Sequence, residues 1–268
     1  MALASLPMYD LEEVAKATDA WWAGLARAFR REGVRDVPVR LTRRGTPEEH
    51  WAAPDLLFTQ CCGYPLTHAF AGTLQVVATP CYDAPGCCGP IYCSFVVVRE
   101  DLRARDVEDL RGCIAAVNSA DSQSGYSALR ALVTPFHRRG RFFAAVRETG
   151  SHLGSLALVL SGGADVAAID CVTHGLLMRH RPEALDGTRV LCRTPSAPAL
   201  PYVTAASAGE DTLRRLRTGL FQAFADPSLA GARDALLLSD AEVLPATAYG
   251  RIRQMEEEAV MHGYPRLA

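Results

Sequence analysis

The sequence predicts an α/β protein of two lobes, each built on a mostly parallel sheet flanked by helices. Short apolar runs of strand length alternate with segments whose apolar residues recur at helical spacing, the pattern of strand-helix units. Two segments, one near Phe95 and one in the proline-rich TPSAPALP of 194–201, interrupt that alternation and read as crossings between lobes. A chain of 268 residues is long enough for two cores of ordinary size. The expected division is 1–94 plus 200–268 for a discontinuous first lobe and 95–199 for the second.

From the N-terminus, Ala2 to Met8 reads as a first strand. Asp10 with Glu13 three residues on has the form of a capping box. The helix it would open buries Leu11, Val14, Thr18, Trp21, Leu25 and Phe29, and Gly33 closes it. Val37 to Leu41 is a second strand, at an edge or a strand start because of Pro38. Asp55 to Thr59 is a third, delivering Gln60 to Tyr64 at its carboxyl end, where open α/β sheets place ligands. Leu74–Ala78 and Ser94–Arg99 follow, separated by the loop CYDAPGCCGPIYC. The second lobe continues with strands at Cys113–Val117, Phe142–Val146 and Asp165–Asp170, and with helices after Asn118 and after Gly150. Val190–Arg193 and Tyr202–Ala205 are further strands. The remainder is helical in pattern, over Leu213–Ala225, Ala232–Leu238 and about Ala246 to His262. No internal repeat or low-complexity tract is present.

The stretch Asn118 to Arg130, NSADSQSGYSALR, concentrates the chemistry. It joins the buried strand at Cys113–Val117 to a helix with Tyr126, Leu129, Val133 and Phe136 on one face. Ser122, Gln123, Ser124 and Gly125 therefore occupy a helix start, where N–H groups lack intrahelical partners and the dipole leaves partial positive charge. No acidic residue lies between Ser122 and Arg130, and Gly125 would let an anion approach the backbone. Simple capping by Ser122 or Ser124 is the competing reading. Ser151 and His152 open a second helix, so two helix starts could converge on one tetrahedral anion. His152 could donate an N–H in either protonation state, or it could be an ordinary capping or buried histidine.

Composition narrows the partners. A formal net charge of −2 gives no basic surplus, so nucleic acid and anionic membrane are not expected. No apolar run reaches 18 residues, which argues against a membrane-spanning segment. The opening MALASLPMYDLEEV lacks a basic stretch followed by an apolar one, so the expectation is a cytoplasmic chain, or a periplasmic or extracellular one whose leader was removed. Six of the nine cysteines lie between Cys61 and Cys93, at spacings unlike a paired zinc motif. Reduced thiols, or one bridge between the Cys61/Cys62 and Cys87/Cys88 pairs, fit this pattern better than a metal or metalloid site. No cofactor is expected.

Six segments in order, DLLFTQCCGYP (Asp55–Pro65), GCCGPIYCSFVVVR (Gly86–Arg99), DLRGCIAAVN (Asp109–Asn118), SQSGY (Ser122–Tyr126), GSHLGSL (Gly150–Leu156) and ADVAAID (Ala164–Asp170), resemble the phosphate, phosphite and phosphonate substrate-binding proteins of ABC transporters. The resemblance covers nearly the whole chain. It implies the type II periplasmic-binding-protein fold, a ligand held between the lobes, and grip on its oxygens by the Ser122-Gln123-Ser124 turn and His152. It also implies a small phosphorus oxyanion as ligand and an ABC permease as partner. Four or five charge-assisted hydrogen bonds at roughly 1.5–3 kcal/mol each would support micromolar or tighter binding. Tyr9, Gln60 and Tyr92 are further candidates, each ending a strand or flanking a glycine-rich turn, with core packing as the alternative. Asp170 stands where an amine-bearing ligand would want a carboxylate. Cys171 and Val172 beside it lack the acidic character that an aminoalkyl phosphonate would call for, so a smaller or neutral-tailed phosphonate, phosphite or phosphate is as good a fit. The alternative to a binding protein is a cytoplasmic enzyme or thiol-based sensor on the same fold, with Cys61, Cys62 and His152 meeting in the cleft.

Overall fold

The computed structural model describes residues 2–268. Its strands are β1 (Leu3–Ala4), β2 (Leu56–Gln60), β3 (Leu74–Tyr82), β4 (Ile91–Tyr92), β5 (Ser94–Arg99), β6 (Ile114–Val117), β7 (Ala145–Glu148), β8 (Val166–Asp170), β9 (Thr188–Arg193), β10 (Ala197–Pro198), β11 (Tyr202–Ala205) and β12 (Leu238–Glu242). The α-helices are α1 (Ala15–Arg31), α2 (Pro47–Trp51), α3 (Gly63–Thr67), α4 (Ala128–Val133), α5 (His152–Leu160), α6 (Cys171–His180), α7 (Gly209–Ala225), α8 (Ala230–Ala235) and α9 (Gly250–Met261). They form two compact units, one of Met1–Asp83, Cys88–Pro90 and Ala199–Ala248, the other of Ala84–Cys87, Ile91–Pro198 and Tyr249–Ala268. No helix among the described residues is long and apolar enough to cross a membrane.

The first unit holds a five-stranded sheet in the order β1-β2-β11-β3-β12. Only β1 and β2 are parallel; β11 runs against β2 and β3, and β12 against β3. Helix α1 buries Thr18, Trp21, Leu25 and Phe29, the stripe its periodicity predicts. Phe58 of β2 fills the space between Phe29 and Tyr202, with ring centroids 5.2 and 5.0 Å away.

The second unit holds the sheet β7-β6-β8-β5-β9. β7, β6 and β8 are mutually parallel, whereas β5 runs against both β8 and β9. Its core gathers Val96, Val98, Leu110, Val117, Leu129, Val133, Phe142 and Val166. Both sheets are therefore mixed rather than mostly parallel, because the strands that follow the crossings, β5 and β11, enter in the reverse direction.

Several expectations are corrected. Residues Tyr249–Ala268 belong to the second unit, where the sequence reading put them with the first. Arg130 of α4 is buried and needs partners, and it donates to the Glu256 carboxylate at 3.1 Å and to the Pro265 carbonyl at 2.8 Å. Leu267 N–H donates to Tyr126 Oη at 3.0 Å, fastening the chain end to the same face. Asp10 and Glu13 form no capping box: Leu11 is the cap of a short 3₁₀ turn, and the Asp10 carboxylate accepts from Arg43 instead. The capping box in this region is Thr46 with Glu49, at the start of α2. Val37 to Leu41 forms no strand; the Val37 and Pro38 carbonyls accept from Arg30. The helix expected over Ala232–Leu238 ends at Ala235, and Leu238 begins β12, an edge strand beside β3 that the sequence reading did not assign. Helices α2, α3 and α6 are additional to the sequence reading.

Candidate functional site: two helix starts in the second unit

β6 and β7 are parallel neighbours in register, Val117 opposite Glu148, so the turns leaving their carboxyl ends emerge side by side. Backbone bonds tie those turns together: Thr149 N–H donates to Val117 O and Gly150 N–H to Asn118 O, each at 2.9 Å. Beyond them the chain enters two helices. After β6, Ser122 caps a single π-helical turn, Gln123–Ser127, that continues into α4, and its Oγ accepts from Gly125 N–H at 3.0 Å. After β7, Ser151 caps α5 in the same way, its Oγ accepting from Gly154 N–H at 3.0 Å. Each cap satisfies one first-turn donor, and intrahelical geometry gives the amides of the first two helical residues, Gln123 and Ser124 in one and His152 and Leu153 in the other, no acceptor in their own helix.

The two starts meet through side chains. Ser124 Oγ and His152 Nε2 are 2.9 Å apart. Ser94 Oγ, on β5, donates to the Ser124 carbonyl at 3.0 Å, and Ser94 N–H donates to Thr194 Oγ1 at 2.9 Å, so the serine is held from below by the sheet. Thr149 Oγ1 contacts Ser155 Oγ at 2.7 Å and donates to the Ser151 carbonyl at 3.0 Å, fixing the second turn. Burial pushes the His152 pKa down to about 4, with the Ala168 backbone only partly opposing it. The ring is therefore neutral at pH 7, with one nitrogen able to donate and the other to accept. Neither helix carries an acidic residue in its first turn.

Gly125 has a different role from the one its sequence position implies. A Cβ there would lie 1.9 Å from Asn118 Oδ1, so the glycine makes room for the Asn118 side chain rather than for a ligand. Asn118 Oδ1 is buried without a hydrogen-bond partner, which makes Asn118 a polar group at this turn that residue-type reasoning passed over. Its one sequence signal was its place at the end of the DLRGCIAAVN segment. Gln123 is buried with its Nε2 3.4 Å from Met255 Sδ of α9, so its side-chain amide is engaged within the second unit.

The other candidates lie elsewhere in the two units or are engaged in the fold. Gln60 is buried in the first unit, and its amide donates to Tyr82 Oη at 2.9 Å and to the Leu200 carbonyl at 3.0 Å. Both amide hydrogens are thereby used within the core. Tyr9 is buried there too, edge-on to Tyr82 at 5.2 Å, and with Trp21, Gln60, Tyr82 and Tyr202 it lines a cavity of about 20 Å³, room for one water. Tyr92 belongs to the second unit, buried in β4 opposite Ala197 of β10. Asp170 caps α6, its Oδ1 accepting from Val172 N–H at 2.8 Å and Thr173 N–H at 3.2 Å, so that carboxylate oxygen serves the helix rather than an amine. Cys61 is fully buried and its Sγ–H donates to the Cys62 carbonyl at 3.3 Å; burial pushes its thiol pKa up, so it is no nucleophile at neutral pH. All nine cysteines are free thiols, and the described residues contain no group of three or more side chains able to hold a metal ion.

Comparison with known proteins places this geometry. Residues 52–248 match the family model described as the ABC transporter, phosphonate, periplasmic substrate-binding protein. The chain belongs to that phosphonate-binding family. The family is one of substrate-binding proteins, not enzymes. Among solved structures, the chain is similar to PhnD1 from Prochlorococcus marinus in complex with methylphosphonate, with a TM-score of 0.77, 16% identity, and coverage of 96% of this chain and 97% of that one. It is similar to XAC2383 from Xanthomonas citri bound to ATP, with a TM-score of 0.71, 18% identity, and coverage of 97% and 98%. The binding-protein component of an ABC phosphonate transporter from Pseudomonas aeruginosa, PA3383, has a TM-score of 0.73 at 16% identity, over 97% of this chain and 87% of that one. At these identities the likeness shows the fold, which is that of the type II periplasmic binding proteins. No curated protein sequence matches the chain.

Proposed function

We propose that this phosphonate-family chain captures a small phosphorus oxyanion at the paired helix starts of its second unit and presents it to an ABC permease. The observation that carries the reading is the 2.9 Å approach of Ser124 Oγ to His152 Nε2 between two serine-capped helix starts. The first-turn amides at 123–124 and 152–153 supply convergent N–H donors, Ser124 a hydroxyl, and His152 a ring N–H once the ligand takes the place of their mutual bond. A tetrahedral anion needs several donors arranged in three dimensions, which one helix start does not provide.

The relatives bear on ligand size. PhnD1 holds methylphosphonate and XAC2383 holds ATP, both phosphorus oxyanions. With Asp170 engaged as a helix cap, the second unit offers little recognition of an amine tail, which favours phosphate, phosphite or a short alkyl phosphonate. Calorimetric titration with methylphosphonate, 2-aminoethylphosphonate, phosphite, phosphate and ATP tests this. Micromolar or tighter binding of a small member of the set, with 2-aminoethylphosphonate weaker, is expected. No heat from any of them at millimolar concentration would overturn the proposal.

A further inference from the structure

The second unit contains three thiols in contact that the anion site does not use. Cys87 Sγ lies 3.5 Å from Cys171 Sγ, across 84 residues of sequence. Cys93 also hydrogen-bonds to Cys171. The arrangement is imposed by the backbone. Gly86 adopts φ +96°, and a Cβ on it would sit 2.9 Å from Cys171 Cβ, 3.1 Å from Cys93 Sγ and 3.2 Å from Phe95 Cζ. The main chain of this loop is thus packed directly on the first residue of α6, and Cys87 follows it on the same surface.

We propose that Cys87 and Cys171 form a reversible disulfide that latches the 84–87 segment to the start of α6. The distance is van der Waals contact for two sulfurs, so side-chain rotation and a small loop shift close the remaining gap to a bond. The three thiols differ in access: Cys171 and Cys93 are buried, Cys87 is half-buried, and the neighbouring Cys88 is exposed. Of the three thiols in contact, Cys87 is therefore the one an oxidant reaches first, and Cys171 the one placed to resolve the product. The bond to Cys171 together with burial holds Cys93 protonated at neutral pH, and the bond to Cys87 together with burial holds Cys171 protonated against the opposing pull of Cys93, so both persist as thiols until Cys87 is oxidised.

With a low-molecular-weight disulfide as oxidant, Cys87 loses its proton and attacks one sulfur, forming a mixed disulfide and expelling one thiolate. Cys171 then attacks the Cys87 sulfur, passing its proton to the second departing group as that group is expelled. Two protein thiols are oxidised to one disulfide, the small disulfide is reduced to two thiols, and these take up the two protons. The latched segment lies where the chain passes from the second unit to the first, since Ala84–Cys87 belongs to one and Cys88–Pro90 to the other. A bond there fixes that passage to α6.

The test is to incubate the reduced full chain with oxidised glutathione, block remaining thiols and map the peptides by mass spectrometry. Before blocking, the expected intact product has lost two hydrogens and regains them with dithiothreitol, and after blocking its digest carries a Cys87–Cys171 cross-linked peptide. Cys88→Ser should keep the cross-link and Cys87→Ser should lose it. A cross-link from Cys171 to Cys93 or to Cys88, or glutathione adducts with no internal cross-link, would overturn the proposal.

Discussion

The His152 ring offers a prediction that needs no knowledge of the ligand. Enclosure lowers its pKa from the ordinary value near 6.5 to about 4 in the folded chain. The unfolded chain therefore binds a proton between pH 6.5 and 4 that the folded chain does not, and stability must fall as pH drops through that window. At pH 7 the contribution is close to nil; at pH 4.5 it amounts to about 2–3 kcal/mol lost, from the linkage between the two pKa values. His152→Gln keeps a side chain able to hydrogen-bond Ser124 Oγ and removes the titration. Urea unfolding of the ligand-free protein at pH 7, 5.5 and 4.5 should give a wild-type curve that drops more steeply than that of the variant, with a difference of differences near that size. Parallel pH profiles for the two proteins would refute the argument that this histidine is held neutral by its surroundings.

Two further outcomes follow from the same turns. Ser124→Ala removes a hydroxyl expected to bond a charged oxygen, and a loss of roughly 1.5–3 kcal/mol, a 10- to 150-fold rise in Kd by calorimetry, should accompany a near-wild-type melting temperature. Gly125→Ala drives a methyl into Asn118 Oδ1, 1.9 Å from the new carbon, and should cost about 1–3 kcal/mol of stability in thermal melts. Asn118→Ala added to it should recover part of that loss, since Asn118 Oδ1 has no hydrogen bond to forfeit; no recovery would mean the clash is elsewhere.

The two helix starts were legible in the sequence because they depend on local chemistry. Serine before an apolar helical stripe reads as a cap, and Ser122 and Ser151 are caps. A polar turn at the carboxyl end of a buried strand reads as a ligand position, and the turns after β6 and β7 lie side by side. What failed depended on partners distant in sequence. Asp10 matches a capping box, yet Arg43 claims its carboxylate. Gln60 and Asp170 end strands as a ligand contact would, but Tyr82, Leu200 and the first amides of α6 take up their hydrogen bonds. Gly125 looked like an opening and is a socket for Asn118. β12 went unread beyond Leu238, which was taken as a helix end, because only its pairing with β3 makes the segment a strand.

The central claim is that amides and side chains at residues 123–124 and 152–153 grip the oxyanion. Amide nitrogen-proton correlation spectra recorded during titration with the tightest ligand of the calorimetric panel address it directly. The account predicts the largest shifts at the backbone amides of Gln123, Ser124, His152 and Leu153, moving together with one affinity. Saturable binding that leaves those four signals in place would contradict it.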